Sequence, residues 1–571
     1  MAVAVGAFAL GALLATRGKG SDSEKLAARF ASEYTRGEYA AMYGQLDPST
    51  RHRLTPARFA RTLRGDLATA TATNARVVGR PRSRGGGSYE VPMRVRTRLF
   101  GTLELPYELR TSSREGASQV AFSHSLAFPG LRPGEHLSRN TNLPRRATLL
   151  ARDGSMLAES PEQAVTGAEA AARSSPLGNA ATALLGGVGP VPSSRRAELE
   201  ALGVPPTGPV GTSGLELALD SRLRGTPGGQ LLAGARVLAS ARTHPAPALH
   251  TSISPALQSA AVGALGGQYG GIVAMRPASG QILAVAGIGL DGLQPPGSTF
   301  KMVTLASVLA AHIANPHTAF PYATFATLDG VKLNNANGEE CGGSLELAFA
   351  VSCNSVFTPL GVRLGAPRLV ASAEAFGFNH PTGIPGAPAS TLPSAGEIMG
   401  ELDVGSTAIG QGRVLATPLQ MALVAATIAD RGDRPQPTFL LTSTPPARRR
   451  VVSPAVARTV RRLMEGVVRR GTGTAAAIPG VTVAGKTGTA ELKSACTSPQ
   501  AVSSESTTAG EENCQGTESQ PENTDAWFAA FAPALHPHVV VCVLLVKDGA
   551  GGATAAPVAR QVLEAALRER P

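Results

Sequence analysis

The sequence predicts a multidomain protein of the α+β class, and three observations support this prediction. The chain has 571 residues, which is too long for a single core because domains usually contain roughly 100 to 200 residues. Apolar residues follow a helical spacing in 22–64 and then alternate with a period of two in 75–128. Residues 251–571 alternate predicted strands with predicted helices. A peptide hormone, a single binding module and a disordered chain are therefore excluded.

The first region is predicted to be a compact α+β unit. Leu26, Phe30 and Tyr34 mark the apolar face of its first helix. The strands follow as short alternating runs such as YEVPMRVRTRLF and GTLELPYELR, which Arg, Gly and Ser turns separate. Helices followed by a meandering antiparallel sheet form such a unit. The next stretch, 159–250, is rich in Ala, Gly and Pro and predicts short helices and loops.

The last region opens with GIVAMRPASGQILAVAG, two apolar runs joined by a Pro-Ala-Ser-Gly turn, which predicts a hairpin. The remaining elements are predicted from apolar runs and their spacing. They are helices at 298–313, 416–430 and 554–569 and strands at 481–491, 525–533 and 538–547. An acidic, Ser/Thr-rich insertion at 494–524 separates two of these strands. Trp527, on the second of them, is expected to fill the core under the sheet.

Composition argues against nucleic-acid binding. The net charge is +12 and aromatic residues make up 4% of the chain. The arginines are scattered, and almost no aromatic residues lie among them, so no binding footprint is evident. Only seven of the 53 basic residues are lysines, so the position of each lysine is informative.

The five cysteines form no zinc-binding pattern, because there is no Cys-x-x-Cys pair and no histidine cluster beside them. Cys542 lies in an apolar run and is expected to pack as a small hydrophobic residue. Cys496 and Cys514 lie within the insertion and bracket a polar, Ser/Thr/Glu-rich segment of it. A disulfide between them and two free thiols both stay open. For Cys353, packing is favoured over a bridge to Cys341.

The N-terminus, MAVAVGAFALGALLA, is uncharged and precedes Arg17 and Lys19. A membrane-spanning helix needs roughly 20 apolar residues, so the run is short for one. It also lacks the basic start of a normal export signal. An anchor whose first residues are missing is favoured over a cleaved signal and over a merely hydrophobic terminus. Either of the first two places the chain after Lys19 outside the cytoplasm.

A candidate nucleophile lies in QPPGSTFKMVTL. The prolines and Gly297 end one segment, and a helix is expected to begin at or near Ser298. Ser298 and Lys301 are three residues apart, so on a helix the amine can reach the hydroxyl. The helix N-terminus also favours a developing oxyanion. The alternative, a capping serine and a solvated lysine, stays open on this motif alone.

Two further motifs supply polar groups that could face the same cleft as Ser298 and Lys301. LAFAVSCNSVF places Ser352 and Asn354 two residues apart, and VTVAGKTGTAE is an alternating strand that carries Lys486. Gly488 on that strand is expected to let a ligand backbone approach closely. Lys486 can bind a carboxylate together with two neighbouring hydroxyls, those of Thr487 and Thr489.

At these three motifs the sequence resembles the penicillin-binding proteins, a family of serine acyl-transferases related to β-lactamases. The motifs S-x-x-K, S-x-N and K-T-G occur in the family's order as Ser298-Thr299-Phe300-Lys301, Ser352-Cys353-Asn354 and Lys486-Thr487-Gly488. Other segments resemble the monofunctional class B members, among them ATLLARDGSMLA, GTSGLELALDSRLRGTPGG, TSISPALQSAAVGAL and AIGQGRVLATPLQMA.

The resemblance implies a domain organisation. It consists of a short anchor at 1–19, a nuclear-transport-factor-2-like (NTF2-like) cone domain at 20–132, an elongated pedestal or dimerisation-like domain at 133–250, and a transpeptidase domain at 251–571. The last of these would have the fold of serine β-lactamases, a five-stranded antiparallel sheet flanked by helices. Departures from the family pattern are the short anchor, Gln294 where many relatives carry an aromatic residue, and the insertion at 494–524.

The resemblance also implies the chemistry. Ser298 would attack the carbonyl of a D-alanyl-D-alanine stem peptide, and an amine from a neighbouring stem would resolve the ester. Lys301 can accept the serine proton only when neutral, a form that burial and the nearby Lys486 ammonium favour. The backbone N–H groups of Ser298 and Thr489 would hold the oxyanion.

The remaining roles follow from the same resemblance. Ser352 would relay a proton to the leaving amine, Asn354 would hold Lys301 and the substrate amide, and Lys486 with Thr487 and Thr489 would bind the terminal carboxylate of the peptide or of a β-lactam. No cofactor or metal is needed.

Partners and location are implied as well. A bacterial member of the family, here from a GC-rich actinobacterium, would sit on the outer face of the plasma membrane through one N-terminal anchor. It would work with a membrane glycan polymerase of the shape, elongation, division and sporulation type. Two rivals stay open at this point: a hydrolase of the same superfamily, and a sensor or scaffold that acts by contacts alone.

Overall fold

A computed structural model describes residues 21–114, 117–160, 173–441, 447–492 and 523–569. The predicted anchor at 1–19, Cys496 and Cys514 lie outside these residues, as does nearly all of the insertion. Within the described ranges, no helix is both long and apolar enough to cross a membrane.

Helices are numbered along the chain. The described α-helices are α1 Asp22–Arg36, α2 Tyr39–Gly44, α3 Pro48–Arg53, α4 Pro56–Thr69, α5 Asn179–Leu185, α6 Arg196–Ala201, α7 Gly214–Ala218, α8 Asp220–Leu223, α9 Pro255–Leu265, α10 Lys301–Ala310, α11 Leu345–Ala350, α12 Asn354–Leu364, α13 Ala366–Phe376, α14 Gly400–Ala408, α15 Pro418–Ala429, α16 Pro454–Arg470 and α17 Ala555–Arg568.

Strands are numbered in the same way. The described strands are β1 Ala72–Val77, β2 Arg82–Gly85, β3 Ser88–Thr97, β4 Thr102–Arg114, β5 Ala117–Ala121, β6 Leu137–Asn142, β7 Leu149–Leu150, β8 Met156–Ala158, β9 Val188–Gly189, β10 Val210–Gly211, β11 Gly228–Ala233, β12 Arg236–Ala241, β13 Leu249–His250, β14 Gly270–Met275, β15 Ile282–Gly287, β16 Ala319–Ala323, β17 Phe325–Leu328, β18 Val331–Asn334, β19 Cys341–Ser344, β20 Asp433–Pro435, β21 Arg448–Arg450, β22 Ala484–Glu491, β23 Thr524–Ala532 and β24 Val539–Leu545.

The described residues form two compact units, each built from separate segments. The first lies within 1–146, 189–210 and 224–246, and the second within 147–188, 211–223 and 247–571. The predicted pedestal, 133–250, contributes segments to both units. Its proposed boundaries stay predictions.

The first unit packs helices against an antiparallel sheet. The sequence predicts this, because the spacing of its apolar residues changes from helical to alternating. Ser21 caps α1 by accepting a hydrogen bond from the Glu24 N–H at 3.1 Å. Strands β1, β3, β4 and β5 lie in that order in one sheet, with β2 paired to β3. The helices bury Phe30, Tyr34 and Phe59 against this sheet. A second sheet, β12-β11-β6, completes the unit.

The second unit contains a five-stranded antiparallel sheet in the order β15-β14-β24-β23-β22. Helices α9 and α17 cover one face, where Leu257, Phe528 and Val562 share a core. Helix α15, which is buried along its whole length, packs against β14, β23 and β24. The sequence specifies these helices locally, because a Ser or Thr cap followed by proline starts both α9 and α15.

Most predictions for the last region are confirmed. The hairpin is β14 and β15, and the predicted C-terminal strands and helix are β22, β23, β24 and α17. Trp527 and Cys542 are fully buried, as expected. One helix begins later than predicted. Ser298 lies in a 3₁₀ turn, Gly297–Phe300, and the α-helix begins at Lys301.

Candidate active site

The candidate nucleophile lies on a turn that neighbouring backbone holds tightly. The Thr299 hydroxyl donates to the Pro296 carbonyl at 2.6 Å, and the Gly297 N–H donates to the Gly410 carbonyl at 3.0 Å. Gly410 has φ +75°, and a Cβ there would lie 2.2 Å from the Gly297 carbonyl oxygen. Only glycine therefore fits at that contact. Ser298 itself is half-buried.

Lys301 begins α10 and is fully buried. Its Nζ donates to the Ser352 carbonyl at 2.6 Å and to Asn354 Oδ1 at 2.6 Å, and it lies 3.4 Å from the Ser352 hydroxyl. The alternative interpretation, a capping serine with a solvated lysine, is therefore wrong for the lysine. A buried amine with these partners is held in one orientation.

The loop that carries Ser352 and Asn354 has an unusual backbone. Ser352 has φ +62°, a left-handed conformation that costs a residue with a Cβ about 1 kcal/mol or more. Asn354 starts α12, and its Nδ2 donates to the Asn334 carbonyl at 2.9 Å. This bond orients the Asn354 carboxamide so that its Oδ1 accepts from Lys301.

Cys353 requires a correction. The sequence favours packing for this residue, whereas the structure joins it to Cys341 in a disulfide with Cα atoms 5.8 Å apart. The spacing of the two cysteines along the chain gives no sign of the bridge. It arises because β19 returns to the loop from a separate small sheet, in which it pairs with β16. The covalent link lies directly between two of the predicted site residues.

Asn335 is a residue of this region that the sequence does not reveal. It is buried, and its Nδ2 donates to the carbonyls of Ala323 and Glu339 at 2.7 and 2.9 Å. Its Oδ1 accepts the Ser355 N–H at 2.8 Å. The side chain thus ties the loop of Ser352 to the preceding hairpins. The only local sign is an Asn-Asn pair that follows an alternating run.

Lys486, on the edge strand β22, reaches the same serine from the opposite side. Its Nζ donates to the Ser352 hydroxyl at 2.8 Å and to the Thr487 carbonyl at 3.0 Å. Burial lowers the pKa of Lys486 to about 7, because desolvation disfavours the charged form. Two lysine amines therefore meet at the Ser352 hydroxyl, whereas the sequence prediction places Lys301 at the hydroxyl of Ser298.

Two phenyl rings lie beneath the two amines. The Nζ of Lys301 is 5.5 Å from the ring centre of Phe357, and the Nζ of Lys486 is 5.6 Å from that of Phe349. The rings also contact each other, with centroids 5.8 Å apart. Ring faces attract a cation, so the pair favours retention of positive charge at a site whose burial opposes it.

The rest of the Lys-Thr-Gly strand contacts the turn of the nucleophile. A Cβ at Gly488 would lie 2.7 Å from the Pro296 carbonyl oxygen and 2.9 Å from Trp527 Cβ. The missing side chain thus makes room for the protein's own turn, where the sequence suggests a ligand backbone. Thr487 is buried, and Thr489 is half-buried. The strand and the turn therefore form one surface.

The structure brings two buried lysines into contact with Ser352 and Asn354. It also places the turn that carries Ser298 against the Lys-Thr-Gly strand. The hydroxyl of one serine can be activated by an amine, and the second hydroxyl can pass protons between amines. Such a site is that of a serine acyl-transfer enzyme.

Comparison with known families assigns the chain more closely. Residues 270–564 match the penicillin binding protein transpeptidase domain, and residues 155–236 match the penicillin-binding protein dimerisation domain. The chain belongs to the penicillin-binding protein transpeptidase family. It combines both domains, as class B members do.

Individual relatives support this family assignment. The chain is 34% identical over 423 residues to the peptidoglycan D,D-transpeptidase PbpA of Mycolicibacterium smegmatis, which covers 63% of this chain and 80% of that protein. A D,D-transpeptidase domain from Eggerthella lenta is similar with a TM-score of 0.57 at 30% identity, covering 74% of this chain and 98% of the other. The penicillin G acyl-enzyme of penicillin-binding protein A from Mycobacterium tuberculosis has a TM-score of 0.55 at 28% identity, covering 74% and 99%.

Proposed function

We propose that this chain is a peptidoglycan D,D-transpeptidase that forms its acyl-enzyme on Ser298 and is acylated there by β-lactams. The observation that carries the assignment is the convergence of Lys301 and Lys486 on the Ser352 hydroxyl, at 3.4 and 2.8 Å. Such a group of amines and a hydroxyl can take a proton from one oxygen and return it to a leaving amine.

Activation of Ser298 is assigned to Lys301. Two short hydrogen bonds, to the Ser352 carbonyl and to Asn354 Oδ1, hold the Lys301 amine in place. In its neutral form the amine has a lone pair that can take the proton of Ser298, three residues earlier. As that proton moves to the amine, the serine oxygen attacks the D-alanyl-D-alanine carbonyl.

Collapse of the tetrahedral intermediate breaks the C–N bond and releases D-alanine. The leaving nitrogen needs a proton, which Ser352 passes on from the lysine pair. Since the pKa of Lys486 is about 7, its amine can give up and regain a proton at neutral pH. An acceptor amine from a neighbouring stem peptide then attacks the ester. The same groups transfer protons in the opposite direction, so that Ser298 regains its proton.

The oxyanion is assigned to the backbone N–H groups of Ser298 and Thr489. The close approach of the two segments supports this assignment, because a Cβ at Gly297 would lie 2.7 Å from the Thr489 carbonyl oxygen. Loss of one such donor typically lowers the rate about a hundredfold. The terminal carboxylate of the substrate is assigned to Lys486, Thr487 and Thr489, with Gly488 shaping the strand between them.

The wider organisation is also a proposal. Four helices packed on an antiparallel sheet in 21–128 support the NTF2-like assignment of 20–132. The disulfide between Cys341 and Cys353 supports a location outside the cytoplasm, since disulfides persist in oxidising compartments. There the enzyme would be anchored through 1–19 and would act beside a membrane glycan polymerase of the shape, elongation, division and sporulation type.

Intact-mass measurement after incubation with benzylpenicillin tests the assignment. The parent protein gains the mass of one penicillin, and Ser298→Ala gains none. Thr474→Val, which changes an exposed hydroxyl outside the site, is the matched control and labels like the parent. Labelling that survives in Ser298→Ala contradicts the assignment of the nucleophile. An adduct that turns over within seconds indicates a hydrolase instead.

A further inference from the structure

A short turn between α16 and β22 contacts two of the three motif segments. Its sequence is Gly471-Thr472-Gly473, which lies outside the three motifs. The Thr472 N–H donates to the Ala350 carbonyl at 3.1 Å, two residues before Ser352. The Thr472 hydroxyl lies 2.6 Å from the Thr487 hydroxyl. Thr472 therefore bridges the serine loop and the Lys-Thr-Gly strand.

The two glycines keep the turn in this place. A Cβ at Gly471 would lie 2.0 Å from the Ala350 carbonyl oxygen, and a Cβ at Gly473 would lie 3.1 Å from the Phe528 ring. Gly552 approaches from the other side, since its Cβ would lie 2.2 Å from the Thr472 carbonyl oxygen. Backbone on two sides thus fixes the position of the threonine.

The hydroxyl pair can point in two directions. Thr472 Oγ1 lies 3.5 Å from the Ala350 carbonyl oxygen, so Thr472 can donate there while it accepts from Thr487. Alternatively, Thr472 donates to Thr487, and the proton of Thr487 is then free for another acceptor. A carboxylate accepts strongly and selects the second arrangement. Thr487 is only 4% exposed, so few other partners compete for its proton.

We propose that Thr472 is a positioning residue for the substrate carboxylate: its hydroxyl donates to Thr487 and thereby directs the proton of Thr487 to the anion. This inference rests on the proposed function, which assigns the carboxylate to Thr487. No covalent bond is made or broken in the step. The Thr472–Thr487 hydrogen bond reverses its direction, the one from Thr472 to Ala350 is given up, and Thr487 gains one to the anion. It predicts that Thr472 contributes to reactivity with anionic substrates and contributes little with neutral ones.

The test compares acylation of the full chain by benzylpenicillin and by its methyl ester, which lacks the charge. Thr472→Val is expected to lower the second-order acylation rate about tenfold for the acid and less than threefold for the ester. Thr472→Ser retains a hydroxyl and is expected to stay within threefold for both. Thr474→Val, an exposed neighbour, is the matched control. Unfolding midpoints are measured for each variant, and Thr472→Ala replaces Thr472→Val if the latter does not fold.

Two results overturn the inference. An equal loss for acid and ester means that Thr472 only supports the fold, and no loss for either means that it has no role. Thr487→Val separates this inference from the proposed function. If Thr487→Val discriminates between acid and ester and Thr472→Val does not, the role of Thr472 is wrong and the proposed function stands. If neither variant discriminates, the carboxylate assignment itself is wrong, and both fail.

Discussion

The loop of Ser352 and the strand of Lys486 supply facing groups of one site, yet they are held in different ways. The strand belongs to a regular antiparallel ladder, in which Lys486 pairs with Ala529 and Gly488 with Trp527. The loop has a left-handed serine, and a disulfide and single side-chain hydrogen bonds fix it. Regular pairing distributes the constraint over many bonds, whereas the loop depends on a few. Small changes should therefore affect the loop more than the strand.

The largest effect is expected where the loop meets the proton acceptor. Lys301→Met removes the proposed base and two hydrogen bonds to the loop, so acylation by benzylpenicillin should fall roughly a thousandfold. Stopped-flow or time-resolved mass measurement gives the rate. Lys25→Met changes an exposed lysine paired with Asp22 and should leave the rate unchanged. A loss of less than tenfold in Lys301→Met would contradict the role of Lys301 as base.

The disulfide predicts a second, smaller difference between the loop of Ser352 and the strand of Lys486. It closes a separation of 12 residues, for which the loss of chain entropy in the unfolded state corresponds to about 3 kcal/mol. The double variant Cys341→Ser/Cys353→Ser should unfold at a lower temperature and acylate more slowly, because the serine loop loses its link to β19. Calorimetry and the acylation rate measure the two effects.

The matching control lies on the strand side. Cys542, buried on β24, is a free cysteine, so Cys542→Ala should respond to reductant as the parent does. If reductant leaves both the unfolding temperature and the acylation rate of the parent unchanged, the bridge does not hold the loop.

The third effect concerns the strand and depends on pH. The folded pKa of Lys486 is about 7, below its ordinary value of 10.5. Between these values the unfolded chain binds a proton that the folded chain has released, so the free energy of unfolding rises with pH in this window. Below pH 7 both states bind the proton, and burial of the charge costs stability in full.

Lys486→Met removes this dependence. The stability of the parent relative to the variant should increase from pH 7 to 10, by up to about 1.4 kcal/mol per pH unit. Denaturant unfolding at several pH values measures it. A difference that stays constant over this range would contradict a lowered pKa at Lys486.

The sequence predicts much of this site because its motifs are local. Ser298 with Lys301 and Ser352 with Asn354 are neighbours along the chain, and alternating strands are evident without a structure. The contacts it does not predict join distant segments. These contacts form only because the folded chain brings the two segments of each pair together. The pairs are Thr472 with Thr487, Asn335 with Ser355, and Cys341 with Cys353. The 3₁₀ turn at Ser298 depends in the same way on Gly410, more than a hundred residues later.

The strand order of the second unit has a consequence for synthesis of the protein. The middle strand of its sheet, β24, is the last strand along the chain, and it separates the hairpin β14–β15 from β22 and β23. Until residues 539–545 have left the ribosome, the two halves of the sheet lack the strand that pairs with both of them. Pairing of the hairpin with β22 and β23 through β24 is therefore completed only after all three motif segments have been synthesised.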